Sequence, residues 1–334
     1  IRTRRTVMWA QLLPGVPRLW TPDMWPQPPT AANQTCSLGS RAHLDGLRLC
    51  RDASSISCVK ELHKMCLVPH EHVSDTIRKF GHFPDCEWLV KVWRSHDDPR
   101  TRGQRQTFVD AGANIGACSL EMLLRTDARV VAFEPSPVNR FYLTRSLRMA
   151  AFRDPSIGRR IVVVPFALGA HYQQSRLQLS GGGSKVVPSI AAGGTRPKAT
   201  HTTAIEMRSL DGTLAPDLRI RLLKLDVQGY ECEILKGAAR LLQSHRVLAL
   251  TAEIDQKLLG AHGCNPDALR ALIQQDTWLN VTKRPTMSES TYFAHRCGAL
   301  FCEKNQAVCS METSAEASLR CAPGPARPSG GGMG

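Results

Sequence analysis

At 334 residues, with 42% apolar and 22% charged side chains, the chain carries enough hydrophobic material for a sizeable core and fits one decorated α/β domain. The formal charge of +14 permits attraction to phosphates or acidic glycans, but no run of five basic residues occurs and aromatics make up only 6%, so nucleic acid is not the favoured partner. No stretch approaches the roughly 18 to 20 consecutive apolar residues of a membrane-spanning helix, and nothing in the composition fixes an oligomeric state.

Residues 1–35 read as a flexible leader, with Pro14, Pro17, Pro22, Pro26, Pro28 and Pro29 breaking up any regular structure. The chain starts at Ile1 rather than Met, which leaves room for an upstream signal or anchor. Residues 36–105 form an extension holding Cys36, Cys50, Cys58, Cys66 and Cys86, with a helix expected over Val73 to Phe80. Four further cysteines, Cys297, Cys302, Cys309 and Cys321, lie in or near the tail, and only Cys118, Cys232 and Cys264 fall between. Flank cysteines of this kind suggest disulfides in an oxidising compartment, against the alternative of reduced cytosolic thiols. The sequons Asn33-Gln34-Thr35 and Asn280-Val281-Thr282 lean the same way, towards the secretory lumen or the outside of the cell. Cys66 with His70 and His72 has a spacing that suits zinc, but no second compact pair completes the set, so no metal is expected.

A clean alternation of strand and helix begins at Gln106 and defines a catalytic domain over 106–305. Strands are expected at Thr107 to Asp110, Val130 to Glu134, Ile161 to Phe166, Arg221 to Asp226 and Val247 to Ile254. Helices are expected at Ile115 to Leu124, from the N-cap Ser136 and Pro137 to Met149, at Glu231 to Leu242 and at Asp267 to Gln275. Gln173 to Leu179 and Thr202 to Met207 suit a hairpin around a Gly-rich loop over 181–197, which reads as a lid or a tolerated insertion without core material. Trp278 to Val281 and Ala299 to Cys302 are candidate closing strands, and residues 306–334 read as a Cys-containing, Pro/Gly-rich tail. The continuously apolar strands indicate a mostly parallel central sheet with helices on both faces, a Rossmann-like α/β fold.

The strongest chemical signal is Asp110-Ala111-Gly112-Ala113-Asn114-Ile115-Gly116, where the first strand turns into the first helix. Glycines there let the backbone approach a ligand, and ligands in open α/β sheets bind at that edge. Asn114 breaks the G-x-G-x-x-G pattern that a dinucleotide site requires. Glu134 ends the second strand where a carboxylate can accept both hydroxyls of a ribose, and Pro135 turns the chain sharply after it. No D/N-P-P-Y/F signature occurs; Asp226-Val227-Gln228-Gly229 takes its place, which argues against an exocyclic amine as acceptor.

These segments resemble the FkbM-like family of S-adenosylmethionine-dependent methyltransferases. The resemblance rests on Phe108 to Gly116, on Ala132-Phe133-Glu134-Pro135, on Ala167-Leu168-Gly169 and on Leu223-Lys224-Leu225-Asp226-Val227-Gln228-Gly229-Tyr230-Glu231 with Leu235-Lys236-Gly237-Ala238. Arg208-Ser209-Leu210-Asp211 matches the family's step before the fourth strand. The resemblance implies a class I methyltransferase fold and S-adenosylmethionine as cofactor. Asp110, Gly112, Asn114 and Gly116 would surround its methionine part, Glu134 its ribose, and Ala167 and Leu168 its adenine. Asp226 would sit near the methyl group, and Gln228 stands where many members carry Glu. A hydroxyl acceptor on a carbohydrate or other small molecule is the expectation, with an RNA methyltransferase or a non-catalytic domain of the same fold as alternatives. A neutral hydroxyl needs a proton acceptor. Asp226 is the first candidate and Glu253 the second, while Asp226 as an N-cap of the following helix is the structural alternative, and His201 and His245 are weaker bases.

Overall fold

The computed structural model describes residues 11–14, 65–68, 71–95, 106–180, 183–187, 202–275, 279–285 and 290–296. The leader beyond 11–14, Cys36, Cys50 and Cys58, His70, His201, Ala299 to Cys302 and the tail lie outside them.

Among the described residues, two helices seen over their full length precede the alternating region: α1 over His72–Phe80 and α2 over Pro84–Ser95. Helix α1 starts where the Glu71 carboxylate accepts from the amides of Val73 and Ser74, and it stops at Gly81, whose φ of 78° supplies the left-handed turn. Then follow β1 (Thr107–Ala111), α3 (Ala117–Arg125), β2 (Arg129–Phe133), α4 (Pro137–Arg153), α5 (Pro155–Arg160) and β3 (Ile161–Val164). As expected, Ser136 caps α4, its hydroxyl accepting from the Asn139 amide.

The chain next makes β4 (Ala167–Leu168), β5 (Gln173–Ser180), β6 (Gly183–Val187), β7 (Thr202–Arg208) and α6 (Leu210–Thr213). The expected third strand therefore ends at Val164, and Ala167–Leu168 leaves the main sheet to pair with β7. The expected hairpin of β5 and β7 is present. Part of the Gly-rich loop, however, is strand: β6 pairs antiparallel with β5, extending a sheet of order β4-β7-β5-β6.

The last elements are β8 (Ile220–Leu225), α7 (Glu231–Lys236), α8 (Ala239–Gln243), β9 (Ala249–Ile254), α9 (Gln256–Ala261), α10 (Pro266–Ile273), β10 (Leu279–Pro285) and β11 (Ser290–Arg296). The single helix expected over Glu231 to Leu242 is broken at Gly237. A Cβ there would stand 2.2 Å from the Gly169 carbonyl, and the Asp211 carboxylate caps the second piece by accepting from the amides of Arg240 and Leu241. The closing antiparallel strand is Ser290–Arg296, between β9 and β10, in a stretch to which the sequence analysis assigns no element.

The main sheet has the order β10-β11-β9-β8-β1-β2-β3, with β11 its antiparallel member. Side chains alternate across it: Val109, Val131 and Leu223 enter one apolar core, while Phe108, Val130 and Leu222 enter the other. Both faces are covered, which is why these strands read as unbroken apolar runs. The second core also takes in Met65, Ile77, Leu89, Val90 and Trp93, so the described part of the N-terminal extension is built into the domain. Among the described residues, two disulfides have both partners in view, Cys86–Cys118 joining α2 to α3 and Cys232–Cys264 joining α7 to the turn before α10.

Candidate active site

A cavity of about 420 Å³ opens at the carboxyl ends of β1, β2, β8 and β9, roofed by α1 and α2. That volume lies in the range of small-molecule sites. Gly112, Asn114, Glu134, Pro135, Ala167, Leu168, Asp226 and Glu253 all line it.

The β1–α3 turn is built from left-handed backbone, with φ of 81° at Gly112, 51° at Asn114 and 88° at Gly116. Gly112 is a glycine for a second reason: a Cβ would stand 1.8 Å from the Asp226 carbonyl oxygen. The first and fourth sequence blocks thus meet backbone to backbone, and the Asp226 amide donates to the Ala111 carbonyl at 3.2 Å. Asn114 holds the turn to two neighbours. Its amide donates to Glu134 Oε2 at 2.8 Å, and its side chain donates to Glu71 Oε1 at 3.2 Å.

Glu134 is buried, and its other oxygen accepts from the Ser136 amide at 2.8 Å. Burial pushes its carboxyl up to about 7 against the opposing pull of those two amides and of Arg140, with Asp110 adding to the rise. Each oxygen keeps a further lone pair for a hydroxyl donor.

Two of the expected cofactor residues, Asp110 and Gly116, are not among the residues that line the cavity. Asp110 is fully buried and turned away from the cavity, accepting from Ser119 Oγ at 2.7 Å and pairing with Lys224 Nζ at 3.2 Å. Gly116 caps α3 instead of facing the cavity, and a side chain there would collide with Leu143 at 2.9 Å. Both residues shape the turn from behind. His245 sits in the turn before β9, at the opposite end of that strand from Glu253.

Asp226 does not cap the following helix. No side chain caps that helix; Glu231 instead holds the turn before it, its Oε1 accepting from the amides of Val227 at 2.9 Å and Gly229 at 3.4 Å, and burial pushes its carboxyl up to about 7. The Asp226 carboxyl is 38% exposed towards the cavity and lies 3.1 Å from Lys224 Nζ. Loss of water would raise it, but the Lys224 ammonium and hydrogen bonds with Glu253, Lys224 and Gln228 hold it below the ordinary aspartate range. Gln228, held at φ 59°, donates from Nε2 to Glu253 Oε2 at 3.4 Å.

Neither Lys224 nor Glu71 was expected as a site residue. Lys224 had a signal: a lysine inside a continuously apolar strand is almost never buried unless paired. Glu71 had none, since only the packing of α1 brings it to Asn114. Cys66, from the candidate zinc spacing, is disulfide-bonded.

Residues 110–275 match the family profile described as the methyltransferase FkbM domain. Among curated proteins, the chain is 31% identical over 157 residues to the hexuronic acid methyltransferase AglP of Haloferax volcanii, covering 44% of this chain and 57% of that one. It is 33% identical over 160 residues to the methyltransferase sdnD of Sordaria araneosa, covering 39% and 59%. The chain thus spans less than two thirds of the length of these relatives. A crystal structure of a methyltransferase FkbM from Methylobacillus flagellatus KT aligns with a TM-score of 0.40 at 18% identity, covering 72% of this chain and 58% of that one. The family implies S-adenosylmethionine as the methyl donor, and the residues present fit it. Glu134 offers a buried pair of acceptors to a diol, Phe133, Phe166 and Leu168 give an apolar slot for a purine, and the cavity continues to Asp226 and Glu253.

Proposed function

Since residues 110–275 belong to the FkbM methyltransferase family, we propose that this chain methylates a hydroxyl oxygen of a carbohydrate or other small-molecule acceptor, with S-adenosylmethionine as donor. The observation that carries the reading is one cavity lined by the glycine turn, Glu134 and the Asp226–Glu253 pair. The curated relative named for hexuronic acid supports a sugar as acceptor class.

The bound donor supplies a methyl carbon made electrophilic by its sulfonium. The protein has to align an oxygen with that carbon, exclude water and take up one proton. Gly112 and Asn114 form the floor at the donor's methionine end, Glu134 accepts from its ribose, and Ala167 and Leu168 flank its base. Asp226 and Glu253 face the acceptor, accept a hydrogen bond from its hydroxyl, and receive the proton as the oxygen–carbon bond forms. Helices α1 and α2 close the cavity against solvent. The two disulfides support an oxidising setting, the secretory lumen or the outside of the cell.

Calorimetry with S-adenosylhomocysteine is expected to show binding in the micromolar range, about −8 kcal/mol. Asp226→Asn is expected to lose methyl transfer from labelled donor to a panel of neutral and acidic sugars, while product affinity stays within about tenfold. No heat and no thermal shift with S-adenosylhomocysteine would overturn the proposal.

A further inference from the structure

Lys224 lies where the two halves of the site meet. Its ammonium is 3.2 Å from Asp110 Oδ1 on β1 and 3.1 Å from Asp226 Oδ2, and it donates to the Gly112 carbonyl at 3.2 Å. Its side chain is 11% exposed, Asp110 is fully buried, and Asp226 opens onto the cavity. One cation therefore serves two carboxylates and a peptide oxygen, a full set for its three N–H donors. Burial alone would favour the neutral amine, but the two carboxylates keep it protonated well above the ordinary lysine range.

Asp226 is also hydrogen-bonded to Glu253. Two neighbouring carboxyl groups ionise in two steps, because the first negative charge opposes the second. A cation touching one member decides which ionises first. Lys224 touches Asp226.

We infer that Lys224 is the positioning residue of the proposed methyl transfer: by pinning the first negative charge on Asp226, it reserves Glu253 as the carboxylate that takes the acceptor's proton. This inference rests on the methyltransferase reading for its chemistry. When both carboxylates are ionised, the acceptor hydroxyl donates to Glu253 while Asp226 orients it. As the oxygen–carbon bond forms, the carbon–sulfur bond breaks, its electron pair stays on sulfur, and the hydroxyl proton ends on Glu253. The pair then holds one proton again, and releasing it to solvent resets the site. Pairs of acids whose surroundings split their ionisation divide acid–base roles in this way. The sequence order of candidates is thereby reversed, with Asp226 the orienting group and Glu253 the base.

Other titratable groups around the pair include Glu231 and Tyr230 at the start of α7, His262, whose ring lies 4.3 Å from that of Tyr230, and Glu71, His72, Asp85 and Glu134 across the cavity. The histidines among these are the groups that could add positive charge, while Lys224 is the cation in direct contact with Asp226. Gln228 also donates to Glu253, at 3.4 Å, but this neutral amide favours a negative charge there less than the Lys224 ammonium at 3.1 Å favours one on Asp226.

The test is a carbon-13 NMR titration of protein labelled at its Asp and Glu carboxyls, with and without S-adenosylhomocysteine, the two signals assigned through Asp226→Asn and Glu253→Gln. In the wild-type chain Asp226 is expected to ionise first and Glu253 second. Lys224→Met is expected to move the Asp226 transition up by at least about one pH unit, whereas Lys224→Arg, which keeps the charge, is expected to leave the order unchanged. Glu253 ionising first in the wild type would overturn the inference, even if Lys224→Met fails to fold. Unmoved transitions in a folded Lys224→Met chain would overturn it too, because a merely structural lysine would leave them in place. The titration without ligand reads the division of charge in any case, so failure to bind S-adenosylhomocysteine would count against the methyltransferase reading alone.

Discussion

Donor binding should depend on pH through Glu134, and the sign follows from its surroundings. Its carboxyl is pushed up to about 7 in the ligand-free fold, chiefly by burial. A folded value above the unfolded one means that the fold favours the protonated form. This contribution to folding stability is complete below the unfolded value near 4.5 and is lost as pH rises through about 7. Ribose hydroxyls donate to an ionised carboxylate, so binding favours the opposite form and expels the proton. Below about pH 7, each unit of acidification should weaken S-adenosylhomocysteine about tenfold, or about 1.4 kcal/mol. Above it the affinity should level off. Calorimetry across about pH 6 to 8, in buffers of different ionisation enthalpy, reads both the affinity and the protons released. Glu134→Gln should bind weakly and lose the pH dependence, which separates this group from Glu121 and Glu231, also pushed up to about 7 by burial. A wild-type affinity that is flat over that range, with no proton release, would refute the reasoning.

Gly112→Ala would force a side chain onto a φ of 81° and against the Asp226 carbonyl, so it should cost more than about 2 kcal/mol and abolish S-adenosylhomocysteine binding. Denaturant unfolding with the wild-type midpoint would show that the two backbones do not meet as described. Replacing both Cys86 and Cys118 by Ala opens a loop of sequence separation 32, for which chain entropy predicts a loss of about 3.7 kcal/mol. Unfolding midpoints of the two proteins that coincide without reductant would count against the bond, as would free Cys86 thiol in non-reducing mass spectrometry.

Where one short segment both turns the chain and faces the ligand, the sequence was legible. The β1–α3 turn needs glycines for its dihedrals, and Glu134 needs its strand end, so residue type and position declare the role together. Asp110 and Gly116 mislead for the same reason: they are required by the turn, yet act from behind it, on Ser119, Lys224 and Leu143. The α7–α8 break was hidden because its cause, the approach of Gly169 and the cap from Asp211, lies 26 or more residues away in sequence. Strand β11 was missed because its apolar run is only Tyr292-Phe293-Ala294, between Ser290-Thr291 and His295-Arg296, too short to read as a strand although Tyr292 and Ala294 enter one core and Phe293 the other.

The roof of the cavity obeys a different logic from its floor. Trp88, Phe83 and Glu71 come from α1, α2 and their flanks, and Thr291 comes from β11, so no local pattern unites them. What α2 requires of its sequence is mostly an apolar face: Leu89, Val90 and Trp93 pack into the same core as Leu120 and Met122 of α3. Many sequences satisfy that demand, which leaves the cavity-facing side chains free to differ without cost to the fold. The floor has no such freedom, because Gly112 and Asp226 occupy each other's only available space. Cys86–Cys118 joins the permissive wall to the constrained one, holding α2 against the helix that follows the glycine turn. A wall tethered in this way can change its cavity-facing residues while the floor stays in register. That explains why the floor of the cavity is readable from sequence alone and its α1–α2 wall only from the folded chain.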